Sequence, residues 1–212
     1  MRIRELPPQT LTDDNCAGRV AARIRRVTHR YPAGTPYVCA RGSGAPNILL
    51  EESGQWLLSA SIAQIVAVES PIHLDVLTTR LREHHGVSRA GNNIKNNVAN
   101  AVRLCAGANQ VIRDRQNVLW QPGQSLASFR VPTSDRDRRA IQHIPAAELQ
   151  LAILHTVEVR PGIFHDAIAP EVARLLGYQR LSEAISGAIA NQVNALVQQR
   201  KLRLNGPRVE LP

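Results

Sequence analysis

Residues 86–120 read GVSRAGNNIKNNVANAVRLCAGANQVIRDRQNVLW, and their reading decides the fold. From Ser88 to Cys105 the apolar residues Ile94, Val98, Ala101, Val102 and Cys105 recur at helical spacing, which predicts a long amphipathic helix. Two short strands follow, Gln110-Val111-Ile112 and Val118-Leu119-Trp120. The run Asp114-Arg115-Gln116-Asn117 between them has the residue types of a hairpin turn.

The same pattern returns further along the chain. Sliding the sequence by 91 positions aligns Gly86 with Gly177 and, without a gap, Ile62 with Ile153, Val66 with Val157, Ile72 with Ile163 and Asp75 with Asp166. It also aligns Arg89 with Arg180, Ile94 with Ile185, Asn100 with Asn191, Val102 with Val193 and Val118 with Val209. A repeat of this length implies two related units in one chain. In each, a first helix runs through Ile62-Ile65-Val66 or Leu149-Ile153-Val157. A second opens near Asp75 or Asp166, whose charge suits a helix N-terminus. It closes at Gly86 or Gly177, the residue type that tolerates a left-handed helix end. The third helix and a hairpin complete the unit, the second hairpin turning at Asn205-Gly206-Pro207. Three helices and a hairpin is the winged-helix order. The expected fold is mainly α with short β-hairpins: two tandem winged-helix-like units over 60–121 and 146–212.

Between them, 122–145 is rich in Pro, Gly, Ser and charge and reads as an extended linker. Residues 1–59 read as a small α+β segment. There Arg19–Arg30 suggests a basic helix, and Tyr37-Val38-Cys39 and Ile48-Leu49-Leu50 suggest paired strands around Gly42-Ser43-Gly44.

The net charge of +9 directs attention to an anionic partner, most simply nucleic acid. Only Lys95 and Lys201 are lysines, so arginine abundance mostly reflects codon usage and is by itself weak evidence for phosphate binding. Placement says more: residues 1–59 and 60–125 each carry net +3, whereas 146–212 carry only +1. No apolar run spans a bilayer, and Met1–Pro8 lacks the apolar stretch of a signal peptide. Cys16, Cys39 and Cys105 are too few and too scattered for a disulfide framework. A cytoplasmic protein with no membrane partner is expected.

On the third helix of the first unit, the side opposite the apolar stripe presents Asn92, Asn93, Asn96, Asn100 and Arg103, flanked by Lys95. Asparagine is a mediocre helix former, so this density calls for a reason. Asn reads adenine bidentately, and Arg reads guanine or phosphate. Ser88 and Arg89 stand at the helix start, and Arg113 and Arg115 in the hairpin would reach the backbone. The alternative is a solvated polar face. The matching residues of the second unit, Glu183, Ala184, Gly187, Asn191 and Asn194, are small and nearly neutral and suit a protein partner better.

Catalytic signatures are missing. There is no phosphate-cradling Gly-x-x-x-x-Gly-Lys-Ser/Thr loop and no Gly-x-Ser-x-Gly elbow. The pairs Asp13-Asp14 and Glu51-Glu52 lack the setting of a metal-dependent nuclease. His84 and His85 are adjacent, so on a helix they diverge by about 100° and chelate one ion poorly. Cys16, His29 and Cys39 lack zinc-ligand spacing. No cofactor, metal or catalytic residue is expected.

The runs Ile65-Val66-Ala67-Val68-Glu69-Ser70-Pro71-Ile72-His73, Arg82–Gly91, Arg130-Val131-Pro132, Ile144–Leu149 and Leu175–Tyr178 resemble a domain of unknown function of large bacterial proteins. That domain lies C-terminal to superfamily 1 helicase-type and Vsr-like restriction-endonuclease-type regions. The resemblance covers roughly Tyr37 to Leu204. It implies association with DNA processing or defence, without implying a reaction. The motor and the nuclease themselves are absent from these residues. The expected function is a non-catalytic DNA-binding accessory module; the alternative is a protein-interaction scaffold that recruits, or dimerises with, a helicase or nuclease partner.

Overall fold

In a computed structural model, which describes residues 29–212, the 91-residue repeat reappears element by element. The first unit comprises α2 (Gln55–Glu69), β2 (Ile72–His73), α3 (Leu74–His84), α4 (Asn92–Gly107), β3 (Ile112–Arg113) and β4 (Val118–Trp120). The second comprises α5 (Ala146–Val159), β6 (Ile163–Phe164), α6 (His165–Leu175), α7 (Glu183–Gln198), β7 (Arg203–Asn205) and β8 (Arg208–Glu210). Ahead of them lie β1 (Thr35–Pro36) and the single turn α1 (Pro46–Leu50), and β5 (Arg130–Val131) lies between them. Among the described residues the fold is mixed and mostly helical, with two small antiparallel sheets and one parallel pair of strands, none of them closed into a barrel.

Local chemistry explains why the elements stop where they do. Pro71 cannot continue α2 and drives Ser70 into extended backbone. Gly86 (φ +65°) and Gly177 (φ +81°) end α3 and α6 in the left-handed conformation. Each closure carries the same pair of bonds: Val87 N–H to Arg82 O and Gly86 N–H to Glu83 O, then Tyr178 N–H to Ala173 O and Gly177 N–H to Arg174 O. The third helices also end alike, at the left-handed Asn109 and Arg200, with Gln110 and Lys201 donating to Cys105 O and Leu196 O.

The sequence reading missed one strand in each unit. Ile72–His73 and Ile163–Phe164 each add to a hairpin, giving sheets ordered β2-β4-β3 and β6-β8-β7. Two residues are too few to show alternation, so periodicity could not reveal them. Register also corrects the gapless alignment at its end. Ile72 faces Leu119, but Ile163 faces Val209. The first hairpin therefore carries one residue more in its turn, and Leu119, not Val118, is the structural counterpart of Val209.

Each unit encloses its own core. Leu58, Ile62, Ile65, Leu77, Leu81, Val98 and Val102 fill the first. Ile153, Val157, Ile168, Val172, Ile189 and Val193 fill the second. Three expectations for the flanking segments need correction. Ile48-Leu49-Leu50 is not a strand but part of α1, opened by Pro46, whose fixed φ suits a first helical turn. Leu49 is fully buried against the first core. Tyr37-Val38-Cys39 is not a strand either: β1 ends at Pro36 and pairs in parallel with β5, Thr35 opposite Arg130, and Tyr37 N–H then donates to Val131 O at 2.8 Å. The basic helix expected over Arg19–Arg30 lies almost wholly outside the described residues.

The third correction concerns 122–145, which packs instead of trailing through solvent. Phe129, Ile141 and Ile144 are buried in the second core. Arg130 and Arg139 converge on Glu148, a carboxylate with no exposed surface at the first turn of α5. Glu148 accepts from Arg130 N (2.8 Å) and Nη2 (2.7 Å), and from Arg139 Nη1 (2.8 Å) and Nη2 (2.6 Å). The two guanidiniums hold its pKa down to about 2 against the desolvation that pushes it up. Arg130 also donates to the carbonyls of Glu69 and Pro71, both at 2.6 Å, so one side chain joins the end of α2 to the start of α5. Both guanidiniums stack on Tyr37. The runs around Glu69, Arg130 and Glu148, scattered in sequence, meet at this joint.

Candidate nucleic-acid interface

Helix α4 starts at Asn92, four residues later than the apolar spacing suggested, because Gly91 takes the N-cap position. Ser88 and Arg89 are thus exposed residues of the α3–α4 turn and not of the helix itself. Ile94, Val98, Ala101, Val102 and Cys105 are buried as the wheel requires. Asn92, Asn93, Lys95, Asn96 and Arg103 are exposed, and Asn100 is half-buried beside Arg103, which donates to its Oδ1. The helix carries no carboxylate, and no side chain caps its first turn. Its leading N–H groups therefore add partial positive charge to the same end as Arg89 and Lys95.

One of the asparagines has a different purpose. Asn97 is buried and donates from Nδ2 to Leu49 O at 3.2 Å, closing the carbonyl end of α1. It belongs to the core, and its neighbours on the outer face remain to be explained.

The hairpin holds its two arginines differently. Arg113 is tied to the turn, donating from Nε (3.2 Å) and Nη2 (2.6 Å) to Asn117 Oδ1. Asn117 sits at φ +60°, which its short polar side chain tolerates. Arg115 is exposed at the turn itself. Between them Asp114 is occupied inward, accepting from the backbone of Gln116 and Val118 and from Trp120 Nε1. Its carboxylate fixes the loop while the arginines face outward.

In the second unit the aligned helix positions carry Glu183, Ala184, Ser186, Gly187, Asn191 and Asn194, and Ser182 caps the helix by accepting from Ile185 N–H. The small residues leave a groove of about 260 Å³ between α6 and α7, lined by His165, Ile168, Ala169, Gly187, Ala190 and Val193. Arg203, which corresponds to Ile112, is paired to Glu210.

The histidine and cysteine positions weighed in the sequence have structural surroundings. His85 is buried, with Nδ1 2.9 Å from Ala45 O, and burial lowers its pKa. Cys39 lies against Arg80 and Asp137, and burial pushes its thiol up to about 11. Cys16 lies outside the described residues. A different group, His73, Asp75 and His143, comes together from two distant segments. Sequence reading had no means of joining residues so far apart.

Residues 49–96 are similar to a family described as a protein of unknown function (DUF3320). The match begins in α1 and ends in the first turns of α4, under a quarter of the 212-residue chain. No curated protein and no solved structure matches. Among the described residues no helix is long and apolar enough to cross a membrane.

Proposed function

We propose that the chain is a non-catalytic accessory module in which the first unit, a winged helix, docks on duplex DNA. Helix α4 enters the major groove with Asn92, Asn93, Asn96 and Asn100 toward base edges. Ser88, Arg89, Lys95 and Arg103 meet phosphate, and the wing arginines Arg113 and Arg115 meet the flanking backbone. The observation that carries this reading is the contrast between two units of one architecture. The exposed face of α4 is basic and amide-rich with no carboxylate, while α7 carries Glu183 and small residues at the same positions. A merely solvated face would not require this difference. The joint at Glu148 narrows the footprint: Arg130 and Arg139 are occupied by that carboxylate, so they are not the source of non-specific affinity. The resemblance to helicase- and nuclease-associated domains supplies the context, DNA processing or defence.

The groove between α6 and α7 favours a second role for the second unit, recruitment of a helicase or nuclease partner through a small, largely apolar contact. The primary reading is tested by fluorescence anisotropy of a labelled random duplex at two salt concentrations, comparing wild type with the triple variant Arg89→Ala/Lys95→Ala/Arg103→Ala. Removing three phosphate contacts lowers the slope of log K against log salt by about 2.7. Absence of binding at low salt, or an unchanged slope in the triple variant, refutes the reading.

A further inference from the structure

His73 ends β2 and caps α3, Asp75 is in the first turn of α3, and His143 closes a short 3-10 turn, Ile141–His143, just before α5. Asp75 Oδ2 lies 3.7 Å from His73 Nδ1 and 3.4 Å from His143 Nε2. The two imidazoles stack at 4.7 Å with their planes 20° apart. All three donor atoms fall within 4.8 Å of one another. Around a tetrahedral cation with bonds of about 2.0–2.1 Å, neighbouring donors stand about 3.3 Å apart. The Asp75 distances are already close to that spacing; the two rings, stacked in near-parallel planes, must also turn about their Cβ–Cγ bonds so that both in-plane lone pairs meet the cation.

The structure assigns His73, Asp75 and His143 as a site for one divalent cation of the zinc class, held by two imidazole nitrogens and one carboxylate oxygen. Imidazole with carboxylate is a donor set that suits zinc, and three protein ligands leave an open position for water. Asp75 is two-thirds exposed and the rings are mostly shielded, so the cation enters from solvent on the carboxylate side. His73 Nδ1 at present accepts a long bond, 3.2 Å, from Asp75 N–H, and this bond is exchanged for the metal. Asp114 adds a second negative charge near His73.

Each anchor is fixed by its own unit. The His73 backbone is held in the sheet opposite Val118, and His143 is flanked by Ile141 and Ile144, both buried in the second core. A cation here fastens the start of α3 to the segment that leads into α5, across the same joint that Arg130 bridges. The site does not depend on DNA binding by α4.

The test is a titration of the full metal-free chain with Zn²⁺ by calorimetry and with Co²⁺ by visible absorbance. Wild type takes up one equivalent at on the order of 10 µM or tighter, and its melting temperature rises with Zn²⁺. His143→Ala and Asp75→Asn each weaken uptake by at least about 100-fold, more than removal of an outer hydrogen-bond partner costs, and lose the thermal shift. His29→Ala, at an exposed histidine outside the cluster, leaves uptake unchanged. Equal binding by wild type and both cluster variants, or no saturable uptake by wild type, overturns the assignment.

Discussion

Replacing Glu148 by Gln tests whether the joint between the units is held electrostatically. In the native protein this carboxyl's pKa falls from 4.5 to about 2, because Arg139 and Arg130 outweigh its desolvation. At about 1.36 kcal/mol per tenfold change in proton affinity, that difference contributes about 3 kcal/mol of stability. Because the folded value lies below the unfolded one, the contribution is fully present above pH 4.5 and is lost as pH falls toward 2. Glutamine fills the same space but leaves two guanidiniums, exposed by only 11% and 7%, without their shared counter-charge. Breaking a buried pair from one side costs about 3–5 kcal/mol. The carbonyls of Glu69 and Pro71 still receive Arg130, which places the expected loss at the lower end. In urea, with a slope of about 2 kcal/mol per molar, the midpoint at neutral pH falls by about 1.5 M. Repeating the titrations at lower pH narrows the gap between the two proteins, since protonation makes the wild-type group neutral as well. A gap below about 0.5 kcal/mol at neutral pH, or one that does not shrink with acid, refutes the reasoning.

Gly177→Ala is expected to destabilise more than Gly86→Ala. Both positions have positive φ, for which a Cβ costs roughly 1–2 kcal/mol, but only at Gly177 does the new atom meet Pro132 Cγ at 2.5 Å while Gly86 is open; equal urea midpoints would contradict this. Asn97→Ala strips the Leu49 carbonyl of its buried donor and costs about 1–3 kcal/mol, whereas Asn96→Ala on the exposed face changes stability by under about 0.5 kcal/mol. Burial lowers the pKa of His85 and of His73 below 6.5, so both release their protons more readily in the folded chain than in the unfolded one. Stability is therefore fully present above pH 6.5 and falls as pH drops through 6.5 toward the folded values. Ring-proton resonances of His85 that titrate above 6.5 would contradict this.

The helices were legible in the sequence because each needs only its own periodicity and its own stop signals. The stripe Ile94-Val98-Val102 and the closing glycines at 86 and 177 act within a turn or two of the chain, and the 91-residue repeat lets each unit corroborate the other. The exposed polar face of α4 followed from the same wheel, since a residue opposite a buried stripe is exposed wherever the helix packs. Asn97 was the exception, because its partner carbonyl at Leu49 lies on another element. The two-residue strands β2 and β6 were illegible for a related reason: they exist only as additions to hairpins that begin some 40 residues later. Composition misled in 122–145, where proline, serine and charge suggested a free connector. Arg130 and Arg139 are charged but satisfied, and their counter-charge Glu148 lies beyond the segment. The sequence by itself determined the two units, their helices and the charge contrast between α4 and α7, all of which are set by local spacing. Only the tertiary structure decided the joint at Glu148, the buried Asn97 and the meeting of His73 and Asp75 with His143, because contacts between distant segments depend on how the cores pack.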